Sequence, residues 1–98
     1  MNAKPNRRMR MLRDMLDAEG IPWHDASSEW MCRTHSDEVR EVTREGKTHE
    51  ARLFSVICGY GAYGSQCGLL ECWTSAMEEP EGYMNAYQAM QAIREAME

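Results

Sequence analysis

Residues 56–73 read VICGYGAYGSQCGLLECW, and the fold turns on the element that comes after the glycines at positions 59, 61 and 64. Gly59, Gly61 and Gly64 make a GxGxxG spacing. A dinucleotide-binding loop of that spacing needs a strand before the glycines, a helix opening behind them, and a parallel strand beyond. The strand before is present: residues 51–58 read ARLFSVIC, rich in the β-branched and aromatic side chains that suit a pleated surface. Behind the glycines, residues 68–76 read GLLECWTSA, a second strand rather than a helix. The expectation is two neighbouring strands folded back on each other with the glycines at the tip. Without a helix N-terminus there is no ready seat for a pyrophosphate.

Upstream, Met9, Leu12, Met15 and Leu16 recur at helical spacing, and Pro5 suits a first-turn position, so residues 5–19 read as a helix. Gly20 stands where a helix ends, and Pro22 prevents continuation. Residues 21–50 are hard to read; Ile21 to His24 is extended, residues 30–35 suit a short strand, and residues 38–45 suit an exposed strand running into a turn at Glu45-Gly46-Lys47. Downstream, Glu78-Glu79-Pro80-Glu81-Gly82 breaks the chain. Asn85 with Gln88 three residues on has the form of a capping box, and Ala86, Ala89, Met90, Ile93 and Met97 lie on one face of a closing helix. The fold class is therefore α+β: a small antiparallel sheet of three to four strands, flanked by an N-terminal and a C-terminal helix on the same face.

The 98 residues form a single domain, 1–98, with 43% apolar residues for its core. Residues 1–8 leave open a flexible basic arm. Nine Met and one Phe imply a soft core or an adaptable contact face. The net charge of −5 is split: Lys4, Arg7, Arg8, Arg10 and Arg13 precede the first acid, Asp14, and the rest carries six basic and sixteen acidic side chains. Five cations without interleaved aromatics are a thin nucleic-acid footprint, so direct nucleic-acid binding is not expected. No apolar run approaches the ~20 residues of a membrane span, and no apolar stretch succeeds the basic start as in a signal peptide. The chain is expected in the cytoplasm, where Cys32, Cys58, Cys67 and Cys72 are thiols.

The side chains that carry chemistry are sparse. No CxxC occurs, so no metal or cofactor is expected, and Cys58 and Cys72 read as core. His24 beside Asp25 and His35 near Asp37 are sequence neighbours that make no catalytic set by themselves. No enzyme is expected. Tyr60 and Tyr63 either close the corner of the glycine tip or serve, with Gly59, Gly61 and Gly64, as a ligand or partner platform. Trp73 reads as core. Trp23 and Trp30 are candidates for an exposed patch, and Glu78, Glu79 and Glu81 for an acidic one.

The second half resembles a class of small uncharacterised proteins of bacteriophages and prophages of gut bacteria. The matching positions are Gly59 to Gly64, Gly68 to Glu71, and Gly82 to Ala86. The resemblance implies a mobile-element origin, a context in which small proteins often block host defence. The expected function is a non-enzymatic inhibitor of the anti-CRISPR kind, acting by protein–protein contact on a CRISPR effector in the host bacterial cell. Its acidic body would occupy a groove built for phosphate backbone. The alternative is a nucleotide-sequestering oligomer in which Arg7, Arg8 or Arg10 of a neighbouring chain joins the glycine hairpin around a phosphate. A further alternative is a structural or accessory phage protein that dimerises through its Met-rich helix face.

Overall fold

The computed structural model describes residues 1–59, 62 and 67–98 of the chain. The first helix, α1, is Arg7–Ala18, and its buried positions are Met9, Leu12 and Leu16. Pro5 lies outside it. The Asn6 side chain instead accepts the Met9 N–H at 2.8 Å and caps the helix. At the other end Gly20, with φ +68°, donates to Asp17 O, and Ile21 donates to Leu16 O. That is a full Schellman stop, with buried Leu16 and Ile21 as its apolar pair.

Among the described residues the strands that come next are β1 (His24–Asp25), β2 (Met31–His35), β3 (Val39–Arg44), β4 (Lys47–Arg52), β5 (Phe54–Gly59), β6 (Leu70–Thr74) and β7 (Glu81–Met84). The last helix, α2, is Ala86–Met97, with the Asn85/Gln88 capping box formed in both directions. Among the described residues β1-β2-β5-β6-β7 make one antiparallel sheet, and β3 and β4 form a separate two-stranded ribbon inserted between β2 and β5. The sheet is thus wider than the three to four strands read from the sequence.

The extra width has local causes. The stretch 51–58 is not one strand, because Leu53 and Phe54 are both buried and break the period-two alternation. Leu53 donates to Glu38 O and accepts from Ser75 N, making the corner where the ribbon gives way to the sheet. Strand β7 falls where a chain break was expected. It pairs Leu70 with Met84 and Cys72 with Glu81, one extra residue on its own side, and Tyr83 at φ +60° absorbs the bulge. A residue pattern distorted by a bulge carries no clean alternation to read.

Both helices cover one face of the sheet. The inward residues of β5 and β6 (Phe54, Val56 and Cys58; Leu70, Cys72 and Thr74) are buried, and so are Ala86, Ala89, Met90, Ile93 and Ala96 of α2. Each fully buried large apolar side chain contributes about 1.5–3 kcal/mol relative to exposure. Arg94 grips Glu19 through Nε and Nη2 at 3.1 and 2.6 Å, joining α2 to the end of α1. The guanidinium hydrogen bond holds the Glu19 carboxyl below its ordinary range. Arg13 ties α1 to β2: Nε donates to Thr34 Oγ1 at 2.7 Å, and that hydroxyl donates to Met9 Sδ at 3.2 Å.

Candidate functional site

The strand alternation that buries one face leaves the other, among the described residues, without a helix. On it lie Met31, Arg33 and His35 of β2, Ser55 and Ile57 of β5, and Glu71 and Trp73 of β6. Register places Ser55 between His35 and Trp73, and Ile57 between Arg33 and Glu71. Trp73, read from the sequence as core, is instead 40% exposed. Its neighbours Cys72 and Thr74 point into the core, so a strand buried on one face only must present Trp73 outward.

The ribbon frames this face at the end where Phe54 pairs with Thr74. Arg44 lies with its guanidinium carbon 4.8 Å from the centre of the Trp73 ring and donates from Nη2 to Thr74 O at 3.2 Å. Arg40 reaches Ala96 O at 2.9 Å, so the ribbon is held to α2 as well. The Trp73 Nε1–H donates to Met77 O at 3.1 Å. The indole thereby becomes a ridge between two clefts. One, about 300 Å³, is lined by Arg44, Glu50, Ala51, Arg52, Ser55, Trp73 and Thr74. The other, about 350 Å³, adds Lys47, His49, Glu78 and Glu79. A rigid aromatic with a stacked cation and hydrogen-bonded edge is pre-ordered for contact, because little side-chain freedom is left to lose.

The residues singled out from the sequence are dispersed over the molecule. Glu78 and Glu79 lie beside Arg44, Lys47 and His49, where ribbon cations partly balance them. Glu81 opens β7 in a different cleft, with Tyr83 and Glu95. Trp23 does not share a patch with Trp30: it is half-buried against α1, donating to Asp17 at 2.8 Å beneath the Arg13 guanidinium, 4.7 Å from the ring centre. Trp30 is 66% exposed and sits at the head of β2, beside Gly59. Tyr60, Gly61, Tyr63 and Gly64 lie outside the described residues.

Gly59 closes the β5 ladder at φ +123°, and a Cβ there would lie 2.8 Å from Trp30 O. The glycine is needed for backbone approach. The strand leaving the loop, β6, runs antiparallel to β5, so the parallel pair of a dinucleotide fold is absent between them, as the sequence indicates. Asn6 Nδ2 and Arg8 Nη1 both donate to Gly68 O, at 3.1 and 3.3 Å. The basic start of α1 therefore meets the chain leaving the glycine loop. Arg7 and Arg8 share a cleft with Asn85, Ala86 and Tyr87, whereas Arg10 is turned back onto Pro5 O at 2.9 Å.

His24 and His35 face each other across β1 and β2 with ring centres 5.9 Å apart, and His24 reaches Asp37 at 3.3 Å. Asp25 is held below the usual carboxylate range, first by the Ser27 hydroxyl and more weakly by Arg13. No group of three or more His, Cys, Asp or Glu that could hold a metal ion occurs among the described residues. None of the described helices is long and apolar enough to cross a membrane.

Arg44, Arg52 and Trp73 were not apparent as a site. A signal for Trp73 existed, since in LLECWT it shares its parity with Glu71 rather than with Leu70 and Cys72. For the arginines there was none, because the ribbon's placement is tertiary. No family model matches the chain, and neither a curated protein nor a solved structure matches it.

Proposed function

We propose that this chain is a non-enzymatic binding protein that docks on a partner protein through its uncovered sheet face. The single observation that carries the reading is Trp73, a 40% exposed indole bonded at its edge to Met77 O, between two clefts on the sheet face that neither described helix covers. Exposed large aromatics flanked by polar side chains are the usual anchors of protein interfaces. Charge supports a cationic partner: the chain carries −5 overall, and Glu78 and Glu79 stand beside the indole. Joined to the resemblance to phage and prophage proteins, these features favour an inhibitor of a bacterial defence component, with a CRISPR effector as the target.

The test is cleavage of target DNA by purified CRISPR effectors with the chain added. Inhibition is expected, weakening as salt rises, and Trp73→Ala should weaken it by tenfold or more. Reversing Glu78, Glu79 and Glu81 together should lower potency further. Full-rate cleavage by every effector removes the CRISPR assignment, and inhibition indifferent to Trp73 removes this face.

One observation favours the nucleotide-sequestering reading. Arg8 and Asn6 meet Gly68 within one chain, which gathers polar donors and a cation at the foot of the glycine loop without a neighbouring copy. Calorimetry with cyclic nucleotides and ADP-ribose decides it: stoichiometric heat that Arg8→Ala abolishes supports that reading, and no heat across the panel ends it.

A further inference from the structure

Cys32 and Cys58 stand directly opposite each other across the antiparallel β2–β5 pair. Both lie on the helix-covered face, 0% and 3% exposed. Opposed residues in such a pair hold their Cα atoms about 4.5–5.5 Å apart. A disulfide spans roughly 4.4–6.8 Å between Cα atoms, so the ladder already has the spacing that a bridge requires. The opposed register and the shared buried face make the two side chains direct neighbours.

A polar group on the helix side completes the arrangement. Arg13 Nη2 is 3.5 Å from Cys32 Sγ. Cys72 supplies the contrast within the same sheet. It is equally buried, its register partner on β5 is Val56, and burial together with Glu81 pushes its thiol up to about 12. A buried thiol in apolar surroundings is inert, whereas one beside a guanidinium is a candidate nucleophile.

We propose that Cys32 and Cys58 form a peroxide-sensitive dithiol site that closes into a β2–β5 disulfide, with Cys32 as the attacking sulfur and Arg13 as its positioning residue. The hydrogen bond from Cys58, then the Ser27 hydroxyl and the Arg13 charge, hold the Cys32 thiol low against burial and the Asp25 charge; the same pairing raises Cys58. The Cys32 thiolate attacks one oxygen of hydrogen peroxide, the O–O bond breaks, and the departing hydroxide takes a proton to become water. Cys32 is then a sulfenic acid. The Cys58 sulfur attacks the Cys32 sulfur, the S–O bond breaks, and the leaving hydroxide takes the Cys58 proton as a second water. The two sulfurs lose two electrons and the peroxide gains two. Because the pair is shielded, a small hydroperoxide is the fitting oxidant.

The test exposes the folded full-length chain to hydrogen peroxide, blocks remaining thiols by alkylation after quenching, and maps the digest by mass spectrometry. A linked Cys32–Cys58 peptide lighter by two hydrogens is expected, reversed by dithiothreitol, and retained in Cys67→Ser and Cys72→Ser. Arg13→Gln should slow closure about tenfold at neutral pH and shift its pH profile upward, while Arg13→Lys restores much of the rate. The wild-type chain alone keeps the proposal falsifiable should a variant fail to fold. Oxidation confined to Cys67, or a Cys32–Cys58 link that forms only in urea, overturns it.

Discussion

The two faces of β6 are built from one five-residue strand, yet they do opposite work. Leu70, Cys72 and Thr74 lie beneath the helices at 0–1% exposure, while Trp73 between them is 40% exposed beneath an arginine of the ribbon. The covered face is organised by volume: its side chains fill space against α2, and their value lies in exclusion of water. The uncovered face is organised by direction, with an indole whose edge is bonded to Met77 O and whose ring meets Arg44. Burial stabilises the first. The second is held in shape without being buried, which is the condition for contact with something else.

That contrast can be broken most severely in the covered layer. Phe54 is fully buried, and Phe54→Ala should cost about 3–5 kcal/mol, read as a lowered midpoint in urea unfolding. A loss under about 1 kcal/mol would mean that this layer is not packed as described. Next in size is Gly59→Ala at the end of the same strand. Its φ of +123° and the 2.8 Å approach to Trp30 O predict a loss of about 2–4 kcal/mol, again measured by urea unfolding.

Trp73→Ala sharpens the comparison from the other side. Stability should fall by only about 1 kcal/mol, because the indole is partly in water, while affinity for a partner falls tenfold or more. A stability loss as large as that of Phe54→Ala would assign Trp73 to the core after all. The smallest effect belongs to the ribbon, whose turn places Glu45 at φ +52° before Gly46 at φ +75°. Such a two-residue turn favours Asn-Gly, so Glu45→Asn should raise thermal stability by about 0.5 kcal/mol and leave the sheet untouched.

Where the sequence could be read, local chemistry was strong enough to act alone. The Asn85/Gln88 capping box and the Gly20 stop are satisfied by neighbours within a few residues, so no distant contact overrides them. The β5–β6 pair was legible because the apolar runs before and after the glycines both read as strands. Within residues 21–50 the strand at 30–35, the exposed strand at 38–45 and the turn after it were legible, whereas the ribbon's separation from the sheet was not, because it carries charged and polar side chains on both faces and acquires its place from Arg40 and Arg44 reaching carbonyls far along the chain. Of the candidate site, Glu78 and Glu79 were identified from the sequence, whereas Trp73 reads as core by its hydrophobicity and as outward only by its parity within the strand.

By itself the amino-acid order determined the α+β class, both helices on one face of the sheet, the stop of the first and the cap of the second, and the β5–β6 strand pair, since these arise from periodicity and near-neighbour hydrogen bonds. Only the tertiary structure decided that a ribbon arginine stacks on the exposed Trp73 indole, and that Cys32 meets Cys58 across two strands. Such pairings join residues far apart in the chain, and they depend on which strands are laid side by side, which near-neighbour chemistry does not set.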